Sequence, residues 1–219
     1  DISEKMAYSV GMQIGQMISV NWYESINQQL FGNDSTKTIN KEDMLAGFFA
    51  GVTGKGRVMD PMIATGYVDN KMESVKEASL LERYGEYKAE NEKFLEENKA
   101  KEGVVTTESG LQYKVITEGK GQVPTSTDRV KVHYKGTLID GTEFNSSYSR
   151  KDKDGNPQPS TFRANQVING WTEALTMMPI GSKWELYIPQ ELAYGSQDTG
   201  TIPPFSTLIF EVELLSIEK

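Results

Sequence analysis

Apolar residues recur every three or four positions through the first hundred residues and every second position after that. Ile2, Met6, Val10, Ile14, Met17 and Ile18 share one helical face, with Ser3 as the expected N-cap. A polar cluster at 32–36 breaks the pattern. Asn40, followed by Glu42 and Asp43, marks a second helix start, because a cap side chain and nearby acids complement the free N–H groups there. That helix carries Met44, Leu45, Phe48 and Phe49 and is expected to end near Gly54–Gly56. Asp60-Pro61 marks a third start, with an Asp cap and then proline at the first helical position. No proline follows until Pro124. A helix over about 61–101 would be roughly 60 Å long at ~1.5 Å per residue. Its first half is amphipathic, with Met62, Ile63, Tyr67, Met72, Val75, Leu80 and Tyr84. In 86–102, 10 of 17 residues are charged. So polar a segment reads as a solvated stalk bridging two domains; the alternative is a short helix followed by a disordered charged linker.

From Gly103 the period is two. Val130, Val132 and Tyr134 face one way, and Lys131, His133 and Lys135 the other. Trp184, Leu186 and Ile188 alternate with Lys183, Glu185 and Tyr187. Leu208, Phe210, Val212 and Leu214 alternate with Ile209, Glu211, Glu213 and Leu215. These are the patterns of half-buried antiparallel strands. A short helix is expected after Gly170, carrying Trp171, Ala174, Leu175 and Met178. The stretch 149–160, with Gly155, Pro157 and Pro159, is expected to be a loop beside a pocket. The fold class is therefore α+β: a helical N-terminal part with a long connecting helix, then a sheet domain with one short helix. Three segments follow: 1–85 helical, 86–103 a charged helical stalk or linker, and 104–219 the sheet domain.

With 219 residues the chain has room for one or two domains, each with a core. Its net charge of −8 argues against a nucleic-acid partner, which would need a basic surface. No run is long and apolar enough for a transmembrane segment. The absence of cysteine excludes disulfides, thiolate chemistry and Cys-ligated metals. The chain begins Asp1-Ile2-Ser3 without an initiator Met, so a processed or trimmed chain is expected, a removed signal segment being one explanation.

Candidate chemistry is sparse. His133 is the single histidine, which argues against a Ser-His-Asp triad or a His-rich metal site. It alternates with lysines opposite Tyr134, so a surface or structural role is expected ahead of a general base. Asp152-Lys153-Asp154-Gly155-Asn156 resembles part of a calcium loop but lacks the later bidentate Glu. Seven of nine methionines lie in residues 1–72; they fill helix–helix contacts or form an adaptable client-binding cleft. Gly11 with Gly15, and Gly47 with Gly51, are each one turn apart. They mark close helix crossings or are chance pairs among 20 glycines. Tyr134, Phe144, Val167, Ile168, Trp171, Tyr194 and Phe210 make either a core or the lining of one apolar pocket. Such a pocket has no nucleophile, no metal ligand set and no phosphate loop, and suits a reaction that needs desolvation.

Ordered blocks favour the pocket: Val-Lys-Val-His-Tyr-Lys-Gly (130–136), Asp-Gly-Thr-Glu-Phe-Asn-Ser-Ser (140–147), Val-Ile-Asn-Gly-Trp (167–171), Leu-Ala-Tyr-Gly (192–195) and Ile-Pro-Pro (202–204) before Thr-Leu-Ile-Phe-Glu-Val-Glu-Leu-Leu (207–215). On these blocks residues 104–219 resemble an FKBP-type peptidyl-prolyl isomerase domain. By arrangement, residues 1–103 resemble the helical dimerisation segment of macrophage-infectivity-potentiator-like bacterial isomerases. The resemblance implies a curved antiparallel sheet wrapped around the short helix. It implies cis-trans isomerisation of X-Pro bonds in unfolded or folding proteins, chaperone activity, a homodimer, and location in the periplasm or cell envelope; the alternative is a non-catalytic chaperone or a protein that binds proline-containing segments. No cofactor and no metal is implied. Carried over, Trp171 is the pocket floor; Tyr134, Phe144, Phe162, Val167, Ile168 and Phe210 are walls. The Ile168 N–H and Tyr194 hydroxyl are donors to substrate carbonyls, and Ile202 lies on the loop over the pocket. At Asn145 the family usually has Asp. The carboxamide keeps an acceptor oxygen but loses the charge, which weakens the implied binding of tacrolimus-type macrolides more than it weakens catalysis.

Overall fold

The computed structural model describes residues 1–32 and 34–218. The chain divides into two compact units, Asp1–Arg83 and Tyr84–Lys219. In the first, α1 (Ile2–Met17) runs through a π-helical turn at Ile18–Trp22 into α2 (Tyr23–Phe31). The cap of α1 is Asp1, not Ser3. The Asp1 carboxylate accepts the Ser3 N–H at 3.1 Å, which places Ser3 inside the first turn. The predicted break begins at Gly32, whose φ is +61°; Asn33 of that cluster lies outside the described residues.

Helix α3 (Lys41–Thr53) starts where its cap predicts, with the Asn40 side chain accepting the Asp43 N–H at 3.0 Å. It ends at Gly54, in the left-handed conformation. Helix α4 (Pro61–Asn98) starts at Asp60, whose carboxylate accepts the Met62 N–H at 2.8 Å. The Asn27 carboxamide ties α2 to the segment before α3, accepting the Ile39 N–H at 2.8 Å and donating to the Tyr23 carbonyl at 2.9 Å. Little apolar surface is hidden in this unit. Among its described residues the buried large apolar side chains are Ile18, Leu30 and Leu80. The face predicted for α1 stays open, from Ile2 at 78% exposed to Ile14 at 43%. A Cβ added at Gly11, Gly15, Gly47 or Gly51 would meet nothing within 4 Å among the described residues, so none of the four is in tight packing within one chain.

The second unit is built differently. Among the described residues its strands β1 (Val104–Thr106), β2 (Gln112–Thr117), β3 (Arg129–Thr137), β4 (Glu143–Ser146), β5 (Ser160–Arg163), β6 (Lys183–Ile188) and β7 (Leu208–Glu218) form one antiparallel sheet. The order is β1-β2-β6-β7-β3-β4, and β5 pairs with the first half of β3. Register shifts in β2, β3 and the β3–β4 pair bend the sheet. The predicted inward faces are the buried ones: Val130, Val132 and Tyr134; Trp184, Leu186 and Ile188; Leu208, Phe210, Val212 and Leu214. They form one core with α5 (Asn169–Leu175) and Met178. A Cβ at Gly170 would lie 2.5 Å from the Ile188 side chain, so a glycine here lets α5 reach the sheet.

Two findings depart from the strand-and-stalk reading. Tyr187, on the expected solvent face, is buried. The end of α4 covers it, with the Phe94 and Tyr187 ring centres 6.1 Å apart. Burial, then the bond from its hydroxyl to the Glu185 carboxylate, pushes the Tyr187 phenol well above its usual pKa. The charged segment of α4 thus lays one face on the sheet unit. Asn91 and Asn98 are fully buried. The Asn98 Nδ2 donates to the Gln112 side chain at 3.0 Å, and the Gln112 amide donates to the Leu95 carbonyl at 2.9 Å. Helical ion pairs such as Lys93–Glu97 lie on the exposed side of the same turns.

Asn98→Ala strips the Gln112 oxygen of its donor. The Asn98 Oδ1 itself has no partner among the described residues, which offsets part of that loss. The expected destabilisation is about 1 kcal/mol, read as a lower urea midpoint with an unchanged slope; an unchanged midpoint would show that this contact contributes nothing.

Candidate active site

Trp171, in the first turn of α5, is the centre of an aromatic cluster. Its ring meets Tyr134 and Phe210 at 5.2 Å and Phe162 at 5.8 Å, each close to perpendicular. Phe144 meets Phe210 edge to face at 5.4 Å. In this geometry the positive edge of one ring faces the negative face of the next. The sheet register brings the rings together. Gly136 of β3 is paired with Asn145 on one side and Phe210 on the other. A Cβ there would sit 2.6 Å from the Phe210 ring and 2.7 Å from the Phe144 ring. Glycine at 136 is what allows those two rings to meet over the strand.

These rings leave an open cavity of about 390 Å³ above Trp171. All ten residues singled out from the sequence line it. Tyr134, Phe144, Phe162, Trp171 and Phe210 supply the rings. Val167 and Ile168 come from the turn into α5, and Asn145 from β4. Tyr194 and Ile202 come from the long connection between β6 and β7. Gln166, Thr199 and Thr201 also line the cavity and were not foreseen. They adjoin Val167 and Ile202 in sequence, but polar loop residues carry no periodic signal, so adjacency was the sole available clue.

The polar edge of the cavity is sparse. The Tyr134 hydroxyl donates to Asn145 Oδ1 at 3.0 Å. Ile202 is held by Thr199, which accepts the Ile202 N–H on its Oγ1 at 3.1 Å and donates its own N–H to the Ile202 carbonyl at 3.2 Å. Tyr194 is 38% exposed. Among the described residues the Ile168 N–H has no acceptor. Among the described residues no lining residue is an Asp, Glu, His, Lys, Arg or Cys.

The other candidates lie elsewhere. His133 stacks on Tyr148 at 4.8 Å, and its Nδ1 is 3.1 Å from Ser147 Oγ, which also accepts the Tyr134 N–H. Asp152 closes a turn by accepting the N–H groups of Asn156 and Asp154. The Asn156 N–H is the main cause holding its carboxyl below the usual range. The loop 149–160 contributes nothing to the cavity lining.

Comparison with known proteins agrees with this architecture. A family model described as FKBP-type peptidyl-prolyl cis-trans isomerase matches residues 120–215. One described as the domain amino terminal to FKBP-type peptidyl-prolyl isomerase matches residues 3–115. The chain is 45% identical over 220 residues to the FKBP-type 22 kDa peptidyl-prolyl cis-trans isomerase of Escherichia coli K12, covering 99% of this chain and 96% of that protein. It is 37% identical to the outer membrane protein MIP of Legionella longbeachae, covering 99% and 86%. The crystal structure of FkpA from Escherichia coli matches with a TM-score of 0.60 and 34% identity, covering 100% of this chain and 97% of that one. Two adjoining family models and a relative 45% identical along almost its whole length leave one assignment: the chain belongs to the FKBP-type peptidyl-prolyl cis-trans isomerase family and is an enzyme of that type.

Proposed function

We propose that the cavity over Trp171 is where this isomerase seats the proline of its substrate, and that it turns the preceding peptide bond by desolvation. The observation that carries this reading is the lining itself: five packed rings and, among the described residues, no Asp, Glu, His, Lys, Arg or Cys. An X-Pro bond isomerises in tens to hundreds of seconds because its amide has double-bond character. When the bond twists, conjugation is lost and the carbonyl oxygen sheds negative charge. An apolar wall therefore disfavours the planar amide more than the twisted one, which is a differential effect on the transition state. In this reading Trp171 lies under the proline ring. Tyr134, Phe144, Phe162, Val167 and Phe210 flank it, and Ile202 closes over it. The Ile168 N–H and Tyr194 hydroxyl donate to carbonyls on either side of the bond. The Tyr134–Asn145 pair sets the polar edge. Tacrolimus-type macrolides use the same cavity, with affinity reduced by the carboxamide at 145.

The clients in this proposal are proline-containing unfolded polypeptides, and the protein also acts as a chaperone. Residues 1–85 form a homodimer, 86–103 connect, and 104–219 catalyse. The exposed apolar faces of the first unit, with three buried large apolar side chains among its described residues, support a second copy as their cover. Two sites on one dimer raise the effective concentration at a client that carries several prolines. The name of the Legionella relative, outer membrane protein MIP, supports a place in the periplasm or cell envelope. Among the described residues no helix is long and apolar enough to cross a membrane.

Three measurements test these points. Tyr194→Phe removes one partly exposed hydroxyl, so the fold should persist while kcat/KM in a protease-free prolyl-peptide assay falls about two- to tenfold, the worth of one hydrogen bond. Wild-type turnover across several peptides would remove Tyr194 from the mechanism. Asn145→Asp places a charged acceptor opposite the Tyr134 hydroxyl and should tighten macrolide binding roughly fivefold in titration calorimetry, with peptide turnover little changed. Weaker binding would contradict the environment assigned to residue 145. In sedimentation at micromolar concentration the full chain should be a dimer, and a fragment from Tyr84 onward a monomer; a monomeric full chain ends the dimer proposal.

A further inference from the structure

The connection from Ile202 to β7 is short of backbone restraints. Pro203 and Pro204 have no N–H, and Phe205 has φ +65°, a left-handed conformation rare for an aromatic residue. Such a conformation persists only where its surroundings over-determine it. On one side the Phe205 N–H donates to the Gly195 carbonyl at 2.8 Å, next to Tyr194. On the other, two hydrogen bonds and a cation–ring contact come from α4. Asn91 Oδ1 accepts the buried Thr207 N–H at 2.7 Å. Asn91 Nδ2 donates to the Tyr87 carbonyl at 2.8 Å, which fixes which way the carboxamide points. Ser206 Oγ gives its proton to the Pro203 carbonyl at 2.7 Å, so the Tyr87 hydroxyl, 3.0 Å away, is the donor to Ser206. Lys88 lies over the Phe205 ring at 5.8 Å.

We propose that Asn91 and Tyr87 are positioning residues for the isomerase reaction: by clamping Pro203–Thr207 they hold Ile202 and, through Phe205 and Gly195, Tyr194 at the rim of the cavity. Both lie outside residues 120–215, the part matched by the isomerase family model. Neither touches the cavity. Their effect is geometric, and small displacements of positioning groups are costly to rate. The inference rests on the reading of the cavity as the substrate site.

The test uses the full chain and the protease-free peptide assay. Asn91→Ala leaves the Thr207 N–H without its acceptor and should lower kcat/KM about tenfold; Tyr87→Phe, which loses the Ser206 bond alone, should lower it about threefold. Asn98→Ala, two turns along the same helix and bonded to Gln112, is the stability control. Assayed where it is fully folded, it should keep wild-type kcat/KM. Tyr194→Phe should cost less in the Asn91→Ala background than in the wild type, because the clamp acts through Tyr194. A folded Asn91→Ala protein with wild-type kcat/KM overturns the proposal, and so does an equal loss in Asn98→Ala. If Asn91→Ala does not fold, Tyr87→Phe against Asn98→Ala decides in the same way. Tyr194→Phe alone reports on the cavity reading, so failure of that reading is told apart from failure of the clamp.

Discussion

Perpendicular packing of aromatic rings on Trp171 constrains both halves of what this domain does. Tyr134, Phe162 and Phe210 each present an edge to a face at 5.2–5.8 Å. Rings packed that way bury their contact surfaces but cannot fill the space above the central ring. Stacked rings would fill it. The same contacts that hold α5 against the sheet therefore leave a cavity, and its walls are core residues. The arrangement depends on Gly136, because any side chain there would push Phe144 and Phe210 apart. Gly170 is the second requirement, since it lets Trp171 approach from the helix side.

The catalytic unit has a second, polar layer on the other face of its sheet. Gln112, Asn91 and Asn98 are carboxamides that would be expected in solvent, yet each is buried with hydrogen bonds to the backbone or to one another. Carboxamides suit this task because they donate and accept at once and carry no charge to desolvate. The helix end that leads into the isomerase domain is thereby part of its packing.

Much of this was legible beforehand. Alternate residues of a strand share a face, so the aromatic residues at 134, 144 and 210 had to meet once the three strands paired. The starts at Asn40 and Asp60-Pro61 were legible because caps act locally. What escaped was set by tertiary contact. Tyr187 looked solvent-facing because its period is two; the end of α4 reverses that. Asn91 and Asn98 looked like stalk because hydropathy scores the residue type and not its partners. Asp1 and Ser3 are both good caps, and only the backbone decides between them. The π turn at Ile18–Trp22 adds a residue to the helical repeat without a Pro or Gly to announce it. Gln166, Thr199 and Thr201 join the cavity through loop conformation, which no periodicity encodes.

A cavity lined without carboxylate, imidazole or thiol lacks the groups that titrate below about pH 9. If that cavity is the substrate site, as proposed, acidity acts on the enzyme through its fold. Three turn carboxylates have pKa values lowered from 3.8: Asp34 chiefly by the Thr36 hydroxyl, Asp140 by the Thr142 N–H, and Asp152 by the Asn156 N–H. A carboxyl whose folded pKa is depressed adds stability above its unfolded value and loses it as pH falls through the folded one. Their contributions are therefore intact at any pH above about 5 and fade only in strong acid. Being exposed, these groups have small effects. On the proposed reading of the cavity as the substrate site, turnover should vary little with pH wherever the fold is intact.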